Sequence, residues 1–393
     1  ANTLRLLRRR VVQRRFDATA TRGLTPLIDR DASLQRLSAF INHDLPEAGC
    51  CMLLEADAGM GKTRLLDEAL QRARGRVLYG TCESYVVAPA LQPFVSMLRQ
   101  QPPPEGVPAV EPLGASPSRL VEVFCAWAAI EPLSIIVDDW HCADDASRQL
   151  VQALLQRPAR LVVLLACRPR EDGASWIADA SREPLRPLSA QGTAQAARRW
   201  LPELDPFLAD RIHAHTGGVP LYVEELCHSS SVDALARALD GAGATPAWLA
   251  AWVVGRLRRL PASLGELVQA AAAAGVSVPV AMLEAACDCV LDGPAKRALA
   301  DADLLYLGDG ARSLHFKHGL TREAVYESMS PAQRQRWHAA WRLLLERDDA
   351  AIETGDRVEA LAYHCRGAGQ WLDAAGYAQR AGDRASAAFA LDS

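Results

Sequence analysis

The residues of this sequence best equipped for chemistry are Ala56-Asp57-Ala58-Gly59-Met60-Gly61-Lys62-Thr63, followed by Arg64. Gly59 and Gly61 free the backbone to turn its N–H groups inward, and such a nest at the start of a helix binds an anion. A lysine directly after the second glycine sets a compact ammonium against phosphate oxygens, and the threonine hydroxyl beside it is a hard oxygen ligand for Mg²⁺. The spacing is that of a phosphate-binding P-loop with alanine in place of its first glycine, and it predicts that residues 56–64 cradle the phosphates of a nucleotide. The alternative is a glycine-rich strand-to-helix turn in which Thr63 only caps the helix.

A triphosphate held there needs a second element, because one hydroxyl leaves Mg²⁺ short of ligands. The apolar run Leu133-Ser134-Ile135-Ile136-Val137 ends in Asp138-Asp139. At the carboxyl end of a strand adjacent to the P-loop strand, Asp138 holds the metal, while Asp139 orients or deprotonates the attacking water. Helix capping is the competing role for such acids, and the one expected of Asp144 and Asp145. A fourth apolar run, Leu161 to Ala166, leads into Cys167-Arg168-Pro169 and puts Arg168 on the same sheet edge, where a guanidinium either reads the terminal phosphate or is simply solvated. The expected catalytic set is Lys62, Asp139 and Arg168, with Thr63 and Asp138 on the metal.

These groups need a frame. The runs Cys51–Glu55, Arg76–Thr81, Leu133–Asp138 and Leu161–Cys167 are rich in Val, Ile and Leu, as strands buried on both faces must be. Between them, Leu65–Arg74 and Arg119–Ala129 are amphipathic and long enough to be crossover helices, so the fold class is α/β with a parallel sheet. After Leu188 the apolar residues recur at helical spacing, through Ala194–Trp200, Pro206–His215 and Leu221–Leu226. Pro246–Met329 gives three helical stretches and two β-like runs, Leu304–Leu307 and Leu314–Phe316, about a turn at Gly308–Gly310, as in a winged helix. Ala360–Ala388 pairs two helices in the manner of a tetratricopeptide unit. The expected organisation is a basic linker at 1–22, a P-loop α/β domain at 23–188, a helical subdomain at 189–245, a winged-helix-like domain at 246–330 and the helical, tetratricopeptide-like start of a further region at 331–393.

Composition sets the bounds. A chain of 393 residues, 50% hydrophobic and 23% charged, can bury two or three cores and is neither disordered nor fibrous. A net charge of −4 argues against a general polyanion binder. Direct nucleic-acid binding is therefore not expected, and the arginine-rich Leu4–Arg15 reads as a solvated linker helix. Neither Cys50-Cys51 nor Cys287-x-Cys289 has a partner pair at zinc-ligand spacing, which points to reduced thiols and a cytoplasmic chain. The longest uncharged stretch, Leu267–Leu283, is broken by Gln269, Ser277 and Pro279, so no membrane span is expected. Ala1 at the start and the helical character of Ala385–Leu391 suggest a piece of a longer protein. Of the 43 basic residues only Lys62, Lys296 and Lys317 are lysines, and one of the three falls in the P-loop.

Together these motifs resemble the STAND class of signal-transduction P-loop ATPases, related to AAA+ proteins. Within that class the chain is most similar to modules of bacterial class III nucleotide cyclase-associated ATPases and large ATP-binding LuxR-type regulators. Arg15-Phe16-Asp17 and Leu24-Thr25-Pro26-Leu27-Ile28-Asp29-Arg30-Asp31 resemble the segment that opens such domains near the adenine, with Asp29 where the family has glycine. Asp138-Asp139-Trp140-His141-Cys142-Ala143-Asp144 resembles the extended Walker B pattern, and Arg168 the sensor arginine. His215-Thr216-Gly217-Gly218-Val219-Pro220-Leu221 resembles the Gly-x-Pro motif, whose proline lies against the nucleotide; from the local sequence alone it is equally a helix stop and restart. Phe316-Lys317-His318-Gly319-Leu320 is similar to a winged-helix segment whose histidine touches ADP phosphate in some relatives.

The resemblance implies ATP or ADP with Mg²⁺ as cofactors, slow hydrolysis, and a nucleotide-dependent switch that regulates a linked effector outside this chain. Homo-oligomerisation and protein binding through the helical repeats are implied with it. Two other classes compete: an origin-recognition-like AAA+ ATPase on DNA, and a nucleotide-binding scaffold that does not hydrolyse.

Overall fold

A computed structural model describes residues 27–42, 51–82, 90–108, 116–157, 160–170, 175–228, 253–302, 304–308, 312–316, 319–347 and 354–390. Helix α1 (Asp31–Ile41) is followed by β1 (Cys51–Glu55), α2 (Lys62–Gln71), β2 (Arg76–Thr81), α3 (Gln92–Gln100), α4 (Pro117–Ile130), β3 (Leu133–Asp138), α5 (Asp145–Leu155), β4 (Leu161–Cys167) and β5 (Ser181–Pro184). The strands form one parallel sheet in the order β2-β3-β4-β1-β5. The four strands expected from the sequence keep their bounds. Their order corrects one expectation: β4 lies between β1 and β3, so the strand bearing Asp138 is not adjacent to the P-loop strand. β5 was not legible, because Ser181-Arg182-Glu183-Pro184 is a polar strand at the sheet edge, exposed except at Glu183, without the apolar run that marks a central strand.

Every residue of β1, β3 and β4 is buried, since helices cover both faces. On one face Leu53, Ile135 and Val163 pack with Phe94, Phe124, Trp127 and Trp140; on the other Leu54, Ile136 and Leu164 pack with Leu37, Phe40, Leu65 and Leu66. Each of these fully buried apolar side chains stabilises the sheet by roughly 1.5–3 kcal/mol. Asp144 caps α5, accepting from the Ser147 amide at 2.8 Å, which is the capping role expected of it.

Three helices follow the sheet, α6 (Ala190–Arg198), α7 (Pro206–Thr216) and α8 (Pro220–His228), around Ala197, Leu208, Ile212, Val223 and Leu226. Then come α9 (Ala262–Ala274), β6 (Ser277–Pro279), α10 (Val280–Cys287), α11 (Gly293–Asp301), β7 (Leu305–Gly308) and β8 (Ser313–Phe316), with the antiparallel sheet order β6-β8-β7. The hairpin is the expected one; β6 is an addition, too short for any periodicity to show. The last helices are α12 (Gly319–Ser328), α13 (Pro331–Arg347), α14 (Thr354–Gly367) and α15 (Trp371–Ala390). Trp337 and Trp341 of α13 share a core with Leu267, Phe316 and Val325. The basic run Leu4–Arg15 and the segment Lys317-His318 lie outside the described residues.

A buried polar joint ties α12, α13 and α14 together. His338 Nε2 meets the Tyr326 hydroxyl at 2.9 Å, and its Nδ1 meets Nδ1 of His364 at 3.0 Å. Burial, reinforced for His338 by Arg322, Arg366 and Arg334, lowers the pKa of His338 to about 4 and that of His364 to about 3. Both pKa values lie below the unfolded value near 6.5, so the unfolded chain binds more protons and stability falls as pH drops below about 6.5. For His338 the loss between pH 7 and pH 5 is on the order of 2 kcal/mol, from about 1.4 kcal/mol per pH unit over the interval below its unfolded pKa. Urea midpoints at the two pH values check this, and His338→Gln is expected to flatten the difference.

Candidate nucleotide-binding site

The P-loop spans the end of β1 and the start of α2. Ala56 is buried, donates its amide to Cys167 O at 3.1 Å, and is not among the described residues with left-handed backbone. That explains how alanine is tolerated at this position: the turn demands nothing there that a Cβ forbids. Left-handed geometry is needed instead at Gly59 (φ +82) and Gly61 (φ +88), and a Cβ at Gly61 would meet nothing within 4 Å, leaving that side of the loop open to a ligand. Gly61 caps α2 through its backbone alone. Thr63 is thereby released from capping, and its hydroxyl donates to Asp138 Oδ2 at 2.6 Å.

Asp138 is fully buried at the end of β3; its carboxylate also accepts from the Tyr79 hydroxyl at 3.2 Å and from the Asp139 amide at 2.9 Å. The strand separation noted above is thus bridged by the loop, which carries Thr63 across β4 to the acid. Lys62 is buried and folds back on its own loop, donating to Ala56 O at 2.6 Å and Asp57 O at 3.0 Å. Its pKa is lowered by burial, an effect opposed by Asp138 and Asp139 and strengthened by Arg168. Arg168 follows β4 directly, and Trp176 Nε1 donates to its carbonyl at 2.9 Å. Arg64 turns instead to Asp67 and Glu68 on its own helix.

Asp139 sits at φ 53 and turns the chain sharply after β3. The turn buries Trp140 in the core and leaves His141 among the charges: burial first, then Arg168 and Lys62, lower the His141 pKa to about 4 against the pull of Asp138.

The helical subdomain closes over the loop. Gly217 (φ 59) and Gly218 (φ 71) end α7 in left-handed geometry, Val219 and Pro220 follow, and the Leu221 amide donates to Gly59 O at 3.2 Å. Val219 and Leu221 crowd Gly59 so closely that a Cβ there would lie 3.1 Å from Leu221 Cβ. On the other side Asp29 accepts from the Ser189 amide at 2.8 Å and hydroxyl at 2.7 Å, bonds that hold its carboxyl below the usual range. Asp29 has φ 54, the geometry for which glycine is the easiest choice and aspartate one of the few tolerated replacements. Buried Arg30 reaches Asp29 O at 3.0 Å and Met60 O at 3.4 Å, joining the opening segment to the P-loop.

Residues 26–165 match the AAA ATPase domain family. An uncharacterized protein of Rhizobium meliloti (strain 1021) is 29% identical over 421 residues, covering 88% of this chain and 39% of that protein. Among solved structures the chain is similar to a Signal Transduction ATPase with Numerous Domains (STAND) protein with a tetratricopeptide repeat sensor from Pyrococcus horikoshii, with TM-score 0.56, 15% identity, and coverage of 85% of this chain and 47% of that one. A Walker-type ATPase of Pyrococcus abyssi matches with TM-score 0.42 and 12% identity over 76% of this chain and 96% of that one. The chain thus spans less than half the length of the Rhizobium and P. horikoshii proteins. The likeness to the STAND protein is one of fold.

The parallel sheet brings the loop 56–63, Asp138, Asp139 and Arg168 to one end, with Pro220 at the head of the helix whose Leu221 meets that loop. His318 lies outside the described residues. Thr63 and Asp138 offer hard oxygen donors side by side, and no group of three or more His, Cys, Asp or Glu that could hold a metal occurs among the described residues. That donor set suits Mg²⁺, which takes one or two protein oxygens and completes its shell with phosphate and water. Tyr79, Arg30 and the Gly59–Leu221 contact escaped the sequence, since each belongs to an ordinary strand, helix start or loop and gains its meaning from a distant partner. No helix among the described residues is long and apolar enough to cross a membrane.

Proposed function

We propose that this chain binds ATP with Mg²⁺ between its AAA ATPase domain and the helical subdomain, hydrolyses it slowly, and acts as a nucleotide-dependent switch for a linked effector such as a nucleotide cyclase or a transcriptional regulator. The observation that carries this reading is the hydrogen bond from the Leu221 amide to Gly59 O, which seats the subdomain on the loop that would hold the phosphates. A change in phosphate occupancy must alter that contact, and a bound ligand shifts an equilibrium only through contacts that differ between the two states. From α8 the path continues through the buried ion pair of Glu225 with Arg256 at 2.7 Å, which reaches the core containing Val253 and Leu257.

In this reading Gly59, Gly61 and the α2 N-terminus bind the phosphates, with Lys62 moving from its loop carbonyls to the β- and γ-oxygens. Thr63 and Asp138 would hold Mg²⁺, which neutralises phosphate charge. Asp139 orients or deprotonates the water, Arg168 reads the terminal phosphate, and Pro220 packs against base or sugar. Protein partners and self-association through the helical repeats belong to the same proposal.

Thermal unfolding with and without nucleotide tests it together with phosphate release. Mg-ATP and ADP are each expected to raise the midpoint, and a ligand at about 100 times its Kd contributes roughly 2.7 kcal/mol. Slow but measurable turnover should accompany the shift. Stabilisation without turnover would favour a scaffold, salt-dependent duplex binding would favour a DNA-associated ATPase, and the absence of any shift would overturn nucleotide binding itself.

A further inference from the structure

His141 Nδ1 is buried without a hydrogen-bond partner among the described residues. A buried polar atom without a partner is unfavourable, so such an atom at a ligand site points to a group the ligand brings. Its position supports this. The left-handed turn at Asp139 sends Trp140 into the core and leaves the imidazole within electrostatic reach of Lys62, Arg168 and Asp138. Two cations within electrostatic reach of the ring favour an anionic occupant, and a phosphoryl oxygen can only accept. Nδ1 is then the atom that carries the proton.

We infer that His141 is a terminal-phosphate contact, donating through Nδ1 to an oxygen of the γ-phosphoryl group that ADP lacks. The inference rests on the nucleotide reading above and deepens it: Lys62 serves both nucleotides, whereas His141 and Arg168 distinguish them, and His141 does so through a neutral donor. A core histidine in the same place would have both ring nitrogens satisfied within the protein, as His338 has.

The test uses the chain with Mg²⁺, ADP and a triphosphate analogue whose β–γ bridge is not hydrolysed, with affinities measured by calorimetry. An asparagine amide reaches the position of Nδ1 and a glutamine amide that of Nε2, so the two variants separate the ring nitrogens. His141→Ala and His141→Gln are expected to lose about tenfold in affinity for the triphosphate, the scale of one hydrogen bond to a charged group, while ADP affinity stays within about twofold. His141→Asn is expected to keep most of the triphosphate affinity. Equal losses for the two nucleotides, no loss in either variant, or an asparagine variant as weak as alanine would each overturn the inference. A wild-type chain that binds neither nucleotide would overturn the underlying reading as well, and is told apart by that control.

Discussion

Lys62→Ala is expected to reduce affinity for Mg-ATP by about 10- to 140-fold, because hydrogen bonds to charged groups contribute roughly 1.5–3 kcal/mol and each 1.4 kcal/mol is a factor of ten. The unliganded fold should survive. Among the described residues Lys62 bonds to the carbonyls of Ala56 and Asp57, and burial already works against its charge, so removing the ammonium relieves desolvation while giving up two loop contacts. These opposing effects predict a small change in the unliganded unfolding midpoint beside a large change in binding. Calorimetric titration of both proteins with Mg-ATP is the measurement, and unchanged affinity would remove the P-loop assignment.

Asp139→Asn is expected to behave in the opposite way, with nucleotide affinity kept and turnover reduced by about 10²- to 10⁴-fold, the usual weight of a general base. Asparagine is the right replacement because Asp139 lies at φ 53, a left-handed geometry that asparagine adopts readily and alanine does not. The backbone amide that donates to Asp138 Oδ1 at 2.9 Å is also retained, so the neighbouring carboxylate keeps its partner. Single-turnover hydrolysis beside equilibrium binding separates the two effects. Turnover equal to wild type would assign Asp139 to shaping the turn rather than to activating water.

The two variants bear on different parts of the site. Lys62 is one of three lysines in a chain whose basic residues are otherwise arginine, and it occupies a position where a narrow, mobile cation fits between carbonyls and a planar guanidinium does not. Asp139 is set by backbone conformation, and the same turn that places it also places His141. A change that straightened this turn would therefore disturb water activation and terminal-phosphate recognition together.

Much of this protein was determined by its sequence alone, and the reason is that the information is local. Strand bounds at Cys51–Glu55, Arg76–Thr81, Leu133–Asp138 and Leu161–Cys167 follow from short runs rich in Val, Ile and Leu, and the P-loop motif follows from contiguous residues whose joint chemistry has few other uses. Short or polar elements were not legible: β5 carries charge on an edge and β6 has three residues, so neither shows a period. Other features were decided only by tertiary structure, because they join residues far apart in the chain. These include the insertion of β4 between β1 and β3, the Thr63–Asp138 bond across it, the tie of Asp29 to Ser189, the seating of Leu221 on Gly59 and the meeting of His338 with His364. Strand order depends on which helices cover which face, and a hydrogen bond between distant segments depends on the packing of both, so neither leaves a mark on local periodicity. The sequence named the groups that could do chemistry; the fold decided which of them meet at one end of the sheet, and among the described residues it gives His141 Nδ1 no partner.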